Sequence, residues 1–252
     1  MNFLKKAFAV VLALAFITTT LSAQNKQTFT KHEGWSTLYY YYLKNKPADV
    51  LNTYYYKAAT SQKIVAITFD DGFVPNTQAI INYLQKNNIP ATFFILMGRK
   101  NTTAEQMKRY ASSLFEIGMH GFRHDDYRKI SPEKIETDIN LCVKRAANIS
   151  SNKKIKYFRP PYGVVDSYAT KLLTKNHLQG VLWSTDSRDW AGFKKQKLVD
   201  NVMKDLGSGS IVLMHDHINI TDLDMLCKEI TRQGYQIVPL SKLMRYKADQ
   251  PK

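Results

Sequence analysis

The stretch IVAITFDDG, residues 64–72, is an apolar run that ends in two adjacent acids and a glycine. An apolar run of this length predicts a buried strand. Asp-Gly after a strand usually makes a hairpin turn, and a plain turn needs one acid. Two carboxylates, Asp70 and Asp71, where a buried strand emerges ask for a chemical reason.

Outward from this point the chain alternates between strand-like and helix-like segments. Strands are predicted at 64–69, 91–96, 117–120, 155–159, 179–184, 210–214 and 235–238. Helices are predicted between them. Met107, Tyr110, Ala111, Leu114 and Phe115 recur at helical spacing, with Gly118 as a stop. Ser131-Pro132 opens a helix whose apolar face carries Ile135, Ile139, Cys142 and Ala146. Asp166 opens another, with Ala169, Leu172 and Leu173. Val199, Val202, Met203 and Leu206 mark the next, and Thr221 with Asp224 caps the last. This order predicts an α/β fold, a parallel sheet wrapped by helices, either a barrel or an open doubly wound sheet. Both bind ligands where the carboxyl ends of the strands meet the loops.

Those ends carry a consistent set of residues. Asp70 and Asp71 follow the first strand, and HGFRH (120–124) the third. RPPYG (159–163) follows the fourth and WSTDSRDW (183–190) the fifth; MHDH, with His215, Asp216 and His217, follows the sixth. Four of the six histidines lie at strand ends, which places them on one face. Two histidines four apart can face one point, and an aspartate completes three ligands with an open position. That is a hydrolytic zinc arrangement, in which the metal lowers the pKa of a water towards about 7. One aspartate then holds metal while its neighbour takes the water's proton, and Gly72 helps the backbone bend so that both reach one cavity. The same ligands would also hold non-haem iron, but the extra histidine and the arginine suit hydrolysis better.

TFDDG (68–72), HGFRH (120–124), RPPYG (159–163), DSRDW (186–190) and LMH (213–215) resemble, in order, the five motifs of the polysaccharide deacetylase family, also called the NodB-homology domain or carbohydrate esterase family 4. The resemblance implies a catalytic domain over residues 61–247, folded as a distorted (β/α) barrel of about seven parallel strands with outer helices. It implies metal-dependent removal of acetyl groups from an N-acetylated glycan, with N-acetylglucosamine in peptidoglycan or chitooligosaccharide as the usual target. By the same resemblance Asp71, His120 and His124 would hold one divalent ion, Zn2+ first and Co2+ as an alternative. Asp70 would be the base and His215 the acid that protonates the leaving amine. Arg159 would orient Asp70, and Asp189 would pair with His215, with Asp186 second for that role. The Tyr162 N–H would stabilise the oxyanion, and Trp183 and Leu213 would wall the acetyl pocket. Two departures stand out. Gly121 replaces the family's usual Ser or Thr, removing a hydrogen bond that would support the ligands. Phe73 replaces a common proline at the substrate rim. Acetyl-ester hydrolysis on a xylan-type polymer, hydrolysis of a non-sugar amide, and non-catalytic glycan binding are the rival readings. His217 and Asp216 are read as polar loop residues.

The remaining expectations concern compartment and surface. Residues 1–23 combine Lys5 and Lys6, a short apolar core from Ala7 to Ile17 and a small polar end, the layout of a secretory signal peptide. The core is shorter than the ~20 apolar residues that span a bilayer. The chain is therefore expected to be exported to the periplasm, the cell envelope or the medium, with no membrane span. Its net charge of +15 favours acidic surfaces, an acidic envelope polymer among them, and no nucleic-acid motif accompanies it. Residues 24–60 hold YYYY (39–42) and YYY (54–56), read as a helical arm packing its aromatics on the barrel, with a sugar-stacking platform as the sharper alternative. Cys142 and Cys227 are read as buried free thiols.

Overall fold

The computed structural model describes residues 52–110, 112–150 and 155–248. The signal-peptide stretch 1–23 and the tyrosines at 39–42 lie outside the described residues. Among the described residues, nine strands form one parallel sheet: β1 (Tyr54–Tyr55), β2 (Ile64–Asp71), β3 (Ala91–Ile95), β4 (Phe115–Met119), β5 (Tyr157–Phe158), β6 (Gln179–Val181), β7 (Thr185–Asp186), β8 (Ile211–His215) and β9 (Gln236–Ile237). The helices are α1 (Thr77–Lys86), α2 (Ala104–Lys108), α3 (Pro132–Ile149), α4 (Ser167–Lys175), α5 (Lys195–Asp205), α6 (Ile220–Arg232) and α7 (Leu240–Leu243). Strand order is β1-β6-β5-β4-β3-β2-β8-β7, with β9 also on β2, so the sheet curls into a distorted (β/α) barrel.

The buried strand at 64–71 is the axis of this arrangement. It is flanked by β3 and β8, and its residues from Ile64 to Asp70 are buried. The register sets Asp70 directly beside His215. Around it, Phe93 is fully buried and packs on Phe69, Tyr110 and Phe115 at centroid distances of 5.2, 4.6 and 5.4 Å. Local signals explain the helix starts. Pro132 occupies the first position of α3, where a missing N–H costs nothing. The Asp166 carboxylate accepts from the Tyr168 and Ala169 N–H groups at the start of α4.

The structure departs from the sequence expectations in four places. The periodic run 107–115 is not one helix: α2 ends at Lys108, and Phe115 opens β4 opposite Ala91. Gly118 is not a helix stop but a strand residue opposite Phe94, and it is glycine because a Cβ there would run into the Phe94 ring. The last long helix is capped by Asn219, whose side chain accepts from Thr221 N–H. Tyr54 and Tyr55 do pack on the barrel, but as strand β1 against β6 rather than on a helix. Strands β1 and β7, two residues each, carry too little pattern to be seen in a sequence. Cys142 and Cys227 are buried and free, and among the described residues no helix is long and apolar enough to cross a membrane.

The aromatic cluster predicts that Phe93→Ala lowers stability by about 3–5 kcal/mol, checked by the midpoint of urea unfolding at constant slope.

Candidate active site

A cavity of about 430 Å³ opens at the carboxyl ends of the strands, walled by Asp70, Asp71, His120, His124, Trp183 and Leu213, with His215 facing them. Asp70 and Asp71 are neighbours on a strand, so their side chains should face opposite ways. The backbone breaks the alternation at Asp71, which takes φ 82°, followed by Gly72 at 67° and Phe73 at 47°. The bend expected at Gly72 therefore starts one residue earlier. Non-glycine residues rarely hold a left-handed conformation unless their surroundings impose it. His124 (φ 65°) and Tyr162 (φ 56°) share the trait, so three of the predicted site residues sit on strained backbone.

Arg159 is fully buried at the end of β5. Its guanidinium donates to Asp70 Oδ1 at 2.7 Å, to Thr68 Oγ1 at 2.9 Å, and to the carbonyls of Val181 and Leu182. It lies 4.0 Å from the centre of the Phe94 ring. Its own carbonyl faces His120 Nδ1 at 2.9 Å. That contact puts the proton on Nδ1 and leaves the Nε2 lone pair pointing into the cavity.

Asp71, His120 and His124 each offer one ligand atom, all within 4.8 Å of one another. His124 Nε2 stands 3.8 Å from Asp71 Oδ1. Two ligands on one tetrahedral zinc are about 3.4 Å apart, from bond lengths near 2.0–2.1 Å. Burial and the neighbouring His120 both push the His124 pKa down, which favours the neutral imidazole a metal requires. These residues fit a divalent ion.

A second group, Asp189, His215 and His217, is equally close, but its one carboxylate is already engaged. Asp189 Oδ1 faces His215 Nδ1 at 2.9 Å and accepts from Ser187 Oγ and the Trp190 N–H; Oδ2 accepts from the His215 N–H at 2.7 Å. This is an acid–base pair. Burial alone would lower the His215 pKa, but the hydrogen bond to Asp189 and the charges of Asp189 and Asp70 outweigh it and push it up to about 9. Burial would raise Asp189, and the same histidine holds it below the usual carboxylate range. Asp186 does not pair with His215. It accepts from the Arg188 N–H and Trp190 Nε1, and burial lifts it to about 6.

Tyr162 sits in the 3₁₀ turn Pro161–Gly163, its ring edge-on to His124 at 4.6 Å. His217 is not merely a loop residue: it lines the cavity and stacks on His215 at 5.3 Å. Asp216 is buried, accepts from Thr77 Oγ1, and ties the end of β8 to the start of α1. Gly121 is demanded by its φ of 77° and by Pro161, whose Cγ would lie 2.8 Å from a Cβ. The support that a Ser or Thr hydroxyl would give the His120–His124 loop comes instead from Asp138 on α3. Its buried carboxylate accepts from the Phe122 and Arg123 N–H groups and from Tyr127 Oη, at 2.9, 3.1 and 2.8 Å. The sequence reading missed Asp138. The available signal was a carboxylate on the apolar stripe of 135, 139 and 142, where an acid must find donors.

Against known proteins, the family model described as polysaccharide deacetylase matches residues 57–181. The chain is 35% identical to a peptidoglycan-N-acetylglucosamine deacetylase of Bacillus cereus, over 76% of this chain and 93% of the relative. It is 28% identical to a chitooligosaccharide deacetylase of Bradyrhizobium, over 75% of this chain and 94% of the relative. Among solved structures, the peptidoglycan deacetylase PdaC of Bacillus subtilis superposes with a TM-score of 0.64 at 32% identity, covering 73% of this chain and 91% of that one.

Asp138→Ala leaves the Phe122 and Arg123 N–H groups, between the two histidines, without their acceptor. It is expected to weaken zinc binding by roughly 10–100-fold, read by competition with a chromogenic chelator; Tyr127→Phe, which removes one donor, is expected to cost only about 1 kcal/mol of stability.

Proposed function

The chain belongs to the polysaccharide deacetylase family, and from that premise we propose that it is a metal-dependent hydrolase removing N-acetyl groups from N-acetylglucosamine-containing envelope glycan. One observation carries the reading: a carboxylate held by a buried arginine and a histidine held by a buried aspartate share one cavity with an Asp/His/His ligand set. Binding a sugar needs neither a base nor an acid, so the non-catalytic reading leaves both unexplained. The Bacillus cereus and Bradyrhizobium relatives support the substrate class.

Asp71, His120 and His124 would hold the ion. When bound, a divalent ion such as Zn2+ supplies Lewis-acid polarisation and makes water acidic enough to lose a proton near neutral pH. Asp70 accepts that proton, and Arg159 fixes the carboxylate so that no rotation precedes the transfer. The acetyl methyl lies against Trp183 and Leu213, which keep bulk water out. As the carbonyl carbon becomes tetrahedral, the Tyr162 N–H donates to its oxygen. His215 then gives its proton to the departing nitrogen while Asp189 carries the opposite charge. The C–N bond breaks, and acetate and a free amine leave. The leader layout of residues 1–23 supports an exported enzyme that meets its glycan in the envelope, and the excess of basic side chains suits that acidic setting.

The acid role exists only while His215 is protonated. Its pKa is raised from 6.5 to about 9, so the protonated form persists through neutral pH and is lost as pH rises through that value. The linked stability is complete below the unfolded value and disappears over the same interval. The alkaline limb of kcat against pH is expected near 9, and Asp189→Asn is expected to move it toward lower pH. Acetate release from peptidoglycan and chitooligosaccharide should vanish on chelation and return with zinc or cobalt, and His215→Ala should cost roughly 10²–10⁴ in rate. Full activity after chelation, or in Asp70→Asn, would overturn the proposal.

A further inference from the structure

A second cavity, about 480 Å³, shares Asp71 and His124 with the first and runs outward from them between Arg99 and Arg123. The two guanidiniums come from different loops. Arg99 follows β3, and its Nη1 donates to the Gly72 carbonyl at 2.8 Å, so its head is fixed at the rim. The other nitrogen, Nη2, lies 3.9 Å from Asp71 Oδ2. Arg123 lies between the two histidines. Its backbone N–H is held by Asp138, while its side chain is exposed and crosses the Phe122 ring at 5.9 Å. Gly98, also on the cavity wall, keeps the two loops in contact, since a Cβ there would meet the Phe122 carbonyl oxygen at 2.2 Å.

The charges in this cavity do not cancel. Asp71 is the acid on its wall, set against two arginines, and an ion held by Asp71 and His124 would make the balance more positive still. Arginine is the side chain suited to planar anions, because its fork of N–H donors matches a carboxylate in geometry as well as in charge. The product acetate is a free carboxylate, but it forms at the ligand set rather than between the two arginines, and it is not tethered there. A carboxylate attached to the same glycan is held there by the sugar whose acetyl group occupies the adjoining cavity.

We propose that the Arg99–Arg123 cavity binds a carboxylate carried on the sugar next to the one being deacetylated, so that the enzyme selects acidic glycan over neutral N-acetylglucosamine oligomers. In peptidoglycan that group is the lactyl carboxylate of muramic acid or a carboxylate of the peptide attached to it; chitooligosaccharide has neither. The inference rests on the deacetylase reading and names the substrate within it.

The test uses the zinc-loaded full chain and three matched probes: a peptide-free glycan tetrasaccharide of alternating N-acetylglucosamine and N-acetylmuramic acid, the same compound with its carboxylates reduced to alcohols, and the peptide-bearing strand. Acetate release gives kcat/KM for each, and calorimetry gives affinity independently of turnover. The acid form is expected to exceed its reduced form about ten-fold in kcat/KM, the worth of a charged hydrogen bond, and Arg123→Gln should bring that ratio close to one. Arg99→Gln, which also releases the Gly72 carbonyl, should lower the same ratio. A preference seen only with the peptide-bearing strand, and lost in Arg123→Gln, also supports the proposal and assigns the carboxylate to the peptide. Equal kcat/KM and equal affinity for all three probes, or a preference untouched by Arg123→Gln, overturns it while leaving the deacetylase reading intact. Acetate release from none of the probes would sink that reading instead, and the calorimetric comparison would still decide the cavity.

Discussion

The buried ion pair between Arg159 and Asp70 is the constraint on which the site depends. Both charges are almost wholly removed from water, and desolvating each costs several kcal/mol. The offset comes from a contact of 2.7 Å, a hydroxyl, two strand-end carbonyls and an aromatic face beneath the guanidinium. Removing either partner would strand the other inside the barrel, so the pair has little freedom to move. Its carbonyl end orients His120 at the same time. One residue thus sets the direction of the base and the tautomer of a ligand, and the bend at Asp71 brings the second acid round to the same side.

The sheet supplies the rest of the geometry. Because β2 and β8 are neighbours in register, Asp70 and His215 stand at one level on adjacent strands. The proposed acid and base thus face one cavity. The two halves are nonetheless electrically distinct. Asp70 is tied to a permanent cation, whereas His215 is tied to an anion that keeps it protonated. Opposed partners thus give the two groups different electrostatic surroundings within one cavity, the arrangement that the proposed acid–base hydrolysis would use.

Much of this was legible in the residues. The apolar run of β2, the acids at its end, the HGFRH and RPPYG loops and the histidine that ends β8 could be read directly, because strand ends carry chemistry in parallel α/β folds. Periodicity failed where packing overrode it. Met107, Tyr110 and Leu114 look helical, yet Tyr110 lies beyond the end of α2 and reaches into the aromatic core. Gly118 looks like a stop only because its true role, clearance for the Phe94 ring, depends on a residue 24 positions away. Asp138, Arg99 and Arg123 act across loops that meet only in three dimensions. Of these, Asp138 left a trace in the sequence as a charge on an apolar stripe.

The central claim is that the lone pairs of Asp71, His120 and His124 converge on one divalent ion, while the equally compact Asp189, His215 and His217 group stays metal-free because the Asp189 carboxylate is committed to hydrogen bonds with His215, Ser187 and Trp190. Anomalous diffraction at the zinc edge, from a crystal grown with one equivalent of zinc, measures this directly. The account predicts a single peak bounded by Asp71, His120 and His124. A peak on Asp189, His215 and His217, with the first group empty, would contradict it.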